Sequence, residues 1–132
     1  MSVTNCPCRF NCTFWAIVAS IAVGVVTAFL TIMGMIALTS AFLWVTLGIA
    51  VVYLAVGFAT AASKQTTECC CSPLAAILIG VLGTALLSIV LLAISFPATS
   101  VLGAVLAGLL LFFLFLTLTA TACYIRCLAR CN

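Results

Sequence analysis

The stretch LAAILIGVLGTALLSIVLLAI, residues 74–94, contains no charged residue and only two hydroxyl side chains. A helix of this length, at about 1.5 Å per residue, crosses a hydrocarbon core of about 30 Å. Three more apolar stretches of similar length occur in the chain, which is 68% hydrophobic and 4% charged. Its mean hydropathy is +1.57. This composition excludes a soluble globular domain and indicates an integral membrane protein.

The apolar stretches predict an all-α, single-domain membrane four-helix bundle covering residues 1–132, and two similar transmembrane hairpins account for its helices. The predicted helices cover about residues 14–38, 41–62, 73–96 and 98–125. The first stretch is long and lacks a small-residue cleavage signature, so we interpret it as a retained helix rather than a signal peptide. Thr39 and Ser40 form the predicted turn of the first hairpin, and residues 97–100 form that of the second. Four crossings put both termini on the same side.

All cysteines and all charged residues lie in three islands, residues 5–13, 63–72 and 123–132. These islands share one side of the predicted bundle, and the positive-inside rule places that side in the cytoplasm. Four basic side chains there are candidates for contact with anionic lipid headgroups, at about 1 kcal/mol each. They are Arg9, Lys64, Arg126 and Arg130.

A comparison of the two halves of the chain at a spacing of 60 residues indicates a duplicated hairpin. Small residues recur at every fourth position in the first and third apolar stretches, and a glycine recurs in the second and fourth. Small residues allow membrane helices to approach closely. The predicted helix-packing residues are Ala16, Ser20, Gly24, Ala28, Ala76, Gly80, Thr84, Ser88, Gly48 and Gly108.

The apolar stretches contain no Asp, Glu, Lys, Arg or His. Such a residue at membrane depth is the usual mark of a proton or ion pathway. The chain has no histidine, and Glu68 is its one acidic residue. General acid–base catalysis therefore has almost no candidate groups, and we predict that the protein is not an enzyme. A small transporter or channel is the weakest interpretation, because only Ser and Thr could line a path. The few cations argue against nucleic acid as a partner.

The nine cysteines carry the remaining chemistry, and three interpretations of them stay open. Disulfides could cross-link the chain within or between copies, thiolates could bind Cu(I) or Zn, or the thiols could be palmitoylated. No Cys-x-x-Cys pair is present, and no histidine could complete a mixed zinc site. If the fourth helix continues past the membrane, its cysteines form one stripe, because they recur at every fourth residue. The candidates are Cys6, Cys8, Cys12, Cys69, Cys70, Cys71, Cys123, Cys127 and Cys131.

Three stretches carry a resemblance to a known family: FLWVTLGIAVVYLAV at 42–56, ATSVLGAVLAG at 98–108 and TATACYIRC at 119–127. The chain resembles a family of small cysteine-rich four-helix membrane proteins of spore-forming Gram-positive bacteria, over most of its length and in general sequence texture. That family is uncharacterised and supplies no catalytic residues. The resemblance implies a spore membrane or a spore-associated layer, where thiols kept reduced in the mother cell become oxidised after lysis.

Together these patterns favour a non-enzymatic structural or scaffold protein that self-associates in the membrane and is cross-linked by disulfides. The expected partners are membrane lipid and further copies of the chain, in a homo-oligomer or a larger assembly. We expect no cofactor; the alternative is a soft-metal protein holding Cu(I) or Zn through its thiolates.

Overall fold

The computed structural model describes the backbone of residues 8–36, 38–61, 71–94 and 100–131, and the side chains of these residues except 8–11, 60, 61, 71–74, 128, 130 and 131. The described chain forms four α-helices. They are α1 (Cys8–Ile32), α2 (Ser40–Ala61), α3 (Cys71–Ala93) and α4 (Val101–Cys131).

Each helix contains a segment long and apolar enough to cross a membrane. These segments are Cys12–Ile32, Ser40–Ala59, Ala75–Ala93 and Val101–Cys127. The fold is thus an all-α four-helix bundle, as predicted, and the protein is an integral membrane protein. The helix bounds differ from the prediction mainly in α1, which begins and ends about six residues earlier, and in α4, which continues to Cys131.

The early end of α1 is a capping motif built on Gly34. The Met35 N–H donates to the Leu30 carbonyl and the Gly34 N–H donates to the Thr31 carbonyl, both at 3.0 Å. Gly34 has a φ of 72°, in the left-handed region that side chains disfavour. This pair of hydrogen bonds is the Schellman arrangement, in which a glycine closes the helix. The connection to α2 is therefore longer than the two-residue turn predicted from the sequence.

Hydroxyl residues cap the starts of α2 and α4. The Thr39 hydroxyl accepts from the Phe42 N–H at 3.4 Å, and the Ser100 hydroxyl accepts from the Gly103 N–H at 3.1 Å. Both residues also accept the first backbone bond of their helix through their carbonyls. Such caps satisfy N–H groups that the helix itself leaves unpaired. Both lie in the segments that the sequence predicted to be turns.

The helices pack in the order α1, α4, α3, α2, with a smaller contact between α1 and α3. Within the described residues, α1 and α2 form no comparable interface, although they are consecutive in the chain. The hairpin α3–α4 is thus closely packed, whereas the helices of the first hairpin pack mainly on the second. The two hairpins, although similar in sequence, therefore differ in how closely their own two helices pack.

Glycines bring α1 and α4 together. A Cβ atom added to Gly108 would lie 2.8 Å from the Gly24 carbonyl oxygen and 2.9 Å from the Ala28 Cβ. A Cβ atom added to Gly24 would lie 3.0 Å from the Gly108 carbonyl oxygen and from the Phe112 Cβ. Neither position has room for a side chain, so the two backbones are in direct contact. In a membrane, such close approach is a main source of helix association.

At the interface between α3 and α4, glycines of α3 leave room for larger side chains of α4. A Cβ atom added to Gly83 would lie 2.7 Å from the Phe113 ring, and one added to Gly80 would lie 3.2 Å from the Phe113 carbonyl oxygen and would meet the Thr117 hydroxyl. The Phe113 ring also contacts the Phe112 ring edge-to-face, with centroids 5.1 Å apart. Phe113 is therefore a packing residue between the helices.

α2 packs on α3 through one face and exposes the rest. Leu43, Thr46 and Ala50 are buried, whereas Val45, Val52 and other large apolar residues are exposed. The Thr46 hydroxyl donates to the Leu43 carbonyl at 2.8 Å and lies 3.3 Å from the Ser88 hydroxyl. Since the single hydroxyl hydrogen of Thr46 is used within α2, Ser88 is the donor between the helices. The exposed apolar surface of α2 matches the hydrocarbon of a bilayer.

Candidate functional site

A disulfide between Cys12 and Cys123 joins the first and the last helix at their cysteine-rich ends. The two Cα atoms are 6.1 Å apart, within the usual range for a disulfide. The bond closes a loop with a sequence separation of 111 residues. Since α1 starts and α4 finishes at this end, the disulfide places the beginning of the first helix beside the end of the last. We call this pair the α1–α4 staple.

The two sulfur-bearing residues of the staple differ in exposure. Cys123 is buried, with 9% of its surface accessible, and Cys12 is half-buried. One turn deeper into the bundle, Ala16 on α1 and Ala120 on α4 are almost completely buried. The staple therefore lies where the packed seam between the helices ends, and Cys12 is its accessible side.

The cysteines of α4 lie on one continuous helix, as the sequence predicted for the case in which that helix extends past the membrane. Cys123, Cys127 and Cys131 are successive fourth residues of α4, so they share one face of it. Cys127 is half-buried and is disulfide-bonded as well. With 31 residues, α4 is about 46 Å long, which exceeds a hydrocarbon core of about 30 Å. Its cysteine-bearing end thus reaches the membrane surface or beyond.

The other predicted cross-linking or metal residues are described only in part. Cys8, Cys71 and Cys131 are helical by their backbone, and their side chains lie outside the described residues, as do Cys6, Cys69 and Cys70 altogether. Of the predicted headgroup contacts, Arg126 is exposed on α4 one turn beyond the staple. Arg9 and Arg130 are described by backbone alone, and Lys64 lies outside the described residues.

Most of the predicted packing residues lie at helix interfaces. Seven of the ten predicted residues are buried: Ala16, Ser20, Gly24, Gly80, Thr84, Ser88 and Gly108. Ala28 and Ala76 are half-buried. Gly48 is a correction to the prediction, because it is exposed and a Cβ added there would meet nothing within 4 Å. It lies two residues from Thr46, on a different side of α2 from the face that packs on α3.

Hydroxyl groups inside the bundle are occupied by their own helices. Ser20, Thr27, Thr31, Thr84 and Thr117 each donate to the carbonyl of the residue four positions earlier, at 2.6–2.8 Å. This back-bonding satisfies a hydroxyl at membrane depth without a partner from another helix. The hydroxyl hydrogens of these residues are therefore already used within their own helices.

A cavity of about 60 Å³ lies between α2, α3 and α4. Ala50, Val81 and Leu114 contribute to its walls, together with Tyr53 and the buried Thr84. Its accessible lining is almost entirely apolar, and the Thr84 hydroxyl is bonded to the Gly80 carbonyl. The cavity accordingly offers mainly van der Waals contact to hydrocarbon.

Among the described residues, no three His, Cys, Asp or Glu side chains are grouped closely enough to hold a metal ion. The staple itself uses two sulfurs that are then no longer thiolate ligands. Comparisons with known proteins add no further candidate: no family model, no curated protein and no solved structure matches this chain.

Cys12 and Cys123 were among the nine cysteines that the sequence predicted as candidates, but the sequence did not predict that these two form a disulfide. It did not identify Phe113 as an interface residue, because a phenylalanine in an apolar helix is equally compatible with lipid contact. Gly83 could have indicated a packing role for a large residue such as Phe113, because it is a small residue outside the predicted stripe of small residues at every fourth position. No sequence signal distinguishes the partner of Cys12 from the other cysteines, since the pairing depends on which helices are neighbours.

Proposed function

We propose that this chain is a non-enzymatic structural membrane protein that self-associates and whose cysteine-rich face is cross-linked by disulfides, within each copy and between copies. The observation that carries the proposal is the Cys12–Cys123 staple, which fastens the first helix to the last. A scaffold gains from such a bond, because removing the freedom of a long loop from the unfolded chain stabilises the folded one.

The odd number of cysteines and the length of α4 support cross-links between copies. α4 continues past the staple and ends at Cys131. Its length exceeds the hydrocarbon thickness, so this end can meet the same end of a neighbour in the membrane plane. The total of nine cysteines is odd, so at least one sulfur in each chain has no intrachain disulfide partner.

The shape of the bundle supports self-association in the membrane. α2 is packed on one side only, and much of α1 is exposed as well, including Val25 and Phe29. These faces are apolar and are covered by lipid in an isolated copy. Contact between copies exchanges lipid for protein at little hydrophobic cost, so the decisive contribution comes from packing and from the covalent links.

We place the cysteine-rich face on the cytoplasmic side, in a spore membrane or a spore-associated layer. All four Lys and Arg residues lie in the three islands, which supports that orientation. A cytoplasm keeps thiols reduced, so the disulfides on this face would form late, once lysis of the mother cell releases the spore. Anionic lipid headgroups are the expected ligands of the exposed Arg126 and the other basic side chains.

The first test is to extract the protein from its native membrane with all thiols blocked, and to compare reducing and non-reducing gels. The same sample is analysed for bound metal and for free thiols. We expect ladders of covalent oligomers that collapse with reductant, few free thiols and no stoichiometric metal. A monomer on both gels with stoichiometric copper or zinc would overturn the proposal in favour of a soft-metal protein.

A variant with all nine cysteines replaced by serine is the control for cross-linking. We expect it to insert in the membrane with the same helicity, because the apolar spans remain intact, and to give no ladder. Ladders that persist in this variant would show that association in the gel is not covalent.

A further inference from the structure

We infer that the α1–α4 staple is a thiol–disulfide exchange site through which one copy of this chain becomes linked to the next. A thiolate of a second copy attacks Cys12 Sγ and forms a new bond to it, while the Cys12–Cys123 bond breaks. Cys123 leaves as a thiolate and takes a proton from water. The number of disulfides and the number of thiols stay constant, so the step needs no oxidant. The inference rests on the proposed cross-linking between copies.

Exposure selects the sulfur that is attacked. Cys123 is 9% exposed and sits beside the buried end of the seam, whereas Cys12 is half-buried. Exchange requires the incoming sulfur to approach in line with the bond being broken, so access decides between the two sulfurs. Trp15, three residues further along α1, is 68% exposed, so the face of α1 next to Cys12 is directed away from the bundle.

The attacking group is part of every copy. Nine cysteines cannot all be paired within one chain, so each chain retains at least one sulfur that is either a thiol or bonded to another molecule. In a fully oxidised chain this sulfur has nowhere to react internally except at existing disulfides. A second copy at the same membrane height presents its staple at the same level, since both chains have the same spans.

A basic residue follows the leaving group on the same helix. Arg126 is three residues after Cys123 on α4 and is exposed, whereas Cys123 is buried. Residues three apart on a helix are neighbours, and a guanidinium group favours the thiolate over the thiol. A stabilised leaving thiolate speeds exchange. The same charge attracts the incoming thiolate to this end of the bundle.

The fold tolerates the opening of the staple. Deeper in the membrane, Gly24 and Gly108 hold α1 against α4 by direct backbone contact. Between that contact and the staple, Ala16 and Ser20 of α1 are buried. Exchange at Cys12 therefore replaces a covalent bond within the copy by one between copies, while the helices remain packed.

The experiment mixes isotopically heavy and light full-length protein in liposomes, without oxygen and with a chelator present, at pH 6, 7 and 8. We expect disulfide-linked dimers to accumulate while the free thiols per chain stay constant. Peptide mass spectrometry should find Cys12 of a heavy chain disulfide-bonded to a cysteine of a light chain, or the reverse. Cys123 of the attacked chain should be found as a new free thiol. The rate should rise about tenfold per pH unit, as the thiolate fraction does below an ordinary thiol pKa of about 8.5.

The double variant Cys12→Ser/Cys123→Ser is the matched control, with helicity checked by circular dichroism. We expect its dimers to form at least tenfold more slowly. An unchanged rate, links that spare Cys12, or dimers that need oxygen and consume two thiols each would overturn the exchange site and leave the scaffold intact. Absence of covalent oligomers both with and without oxidant would instead defeat the proposed function itself.

Discussion

The carbonyl oxygen of Gly24 lies 2.8 Å from the place where a Cβ atom would stand on Gly108. The first and fourth helices are therefore in contact through their backbones at this level of the membrane. Ala28 lines the same place, with its Cβ 2.9 Å away. No side chain fits at residue 108 without moving one helix.

We predict that Gly108→Leu destabilises the bundle by about 1–3 kcal/mol, because an overpacked interface forces the helices apart. The free energy of unfolding in mixed micelles measures the effect. Gly48→Leu is the matched control, since a Cβ at residue 48 would meet nothing within 4 Å, and it should change stability by less than about 0.5 kcal/mol. Equal losses in the two variants would contradict the close contact between α1 and α4.

The staple should contribute to stability because it closes a long loop, and the contribution grows only with the logarithm of the loop length. We predict that Cys12→Ser/Cys123→Ser lowers the free energy of unfolding by about 2–4 kcal/mol under oxidising conditions. Under reducing conditions the variant and the parent should unfold together, apart from the effect of the other cysteines. A variant as stable as the oxidised parent would show that the bond does not constrain the unfolded chain.

The bond between the Ser88 and Thr46 hydroxyls should be measurable as a coupling between α2 and α3. The two oxygens are 3.3 Å apart and both side chains are buried. A double-mutant cycle with Ser88→Ala and Thr46→Val should give a coupling of about 0.6 kcal/mol, the average for such bonds in membrane proteins. Thr119→Val serves as the control, because Thr119 bonds only to carbonyls of its own helix. Coupling between Ser88 and this control residue should be near zero.

The Gly34 cap should tolerate no L-side chain, although the space around it is open. We predict that Gly34→Ala costs about 1–2 kcal/mol, because a φ of 72° brings a Cβ against its own carbonyl. Gly48→Ala is the comparison, since it has equal room but lies within a regular helix. If the two alanine variants were equally stable, α1 would have to end without the left-handed residue.

The small-residue stripes of α1 and α3 were predictable because glycine and serine at every fourth position are unusual in an otherwise large apolar sequence. The orientation of α2 was not predictable in the same way. This helix is apolar on every side, so nothing in the sequence marks the face of Thr46 and Ala50 as the packed one, and Gly48 was assigned to it wrongly. In a membrane, the lipid-facing and the packed residues of a helix are both apolar, so polarity does not show which face is packed.

The ends of α1 and α4 could not be predicted from hydropathy, for two physical reasons. Apolar residues continue beyond the end of α1, so hydropathy alone does not show the end that Gly34 creates. At the other end of the chain, Arg126 and Arg130 lower the hydropathy, but arginine is a good helix former and α4 continues. A helix in a membrane need not end where its hydrocarbon-spanning part does.

The sequence repeat predicted two similar hairpins, but the helices of the two hairpins pack differently. The Phe113 ring lies against Gly83, and this contact joins α3 to α4. The corresponding residues of the first half are Tyr53 and Val23. The valine thus stands at the position where α3 has the glycine that makes room for the Phe113 ring.

The bond between Cys12 and Cys123 turns most of the chain into a covalent ring. All three connections between helices lie within that ring, because the two cysteines have a sequence separation of 111. A protease that cuts any one of these connections produces no separate fragment as long as the bond is intact. The nicked protein keeps its four helices on a single covalent molecule and comes apart only after both a cut and a reduction, so one cut at the membrane surface does not release any helix.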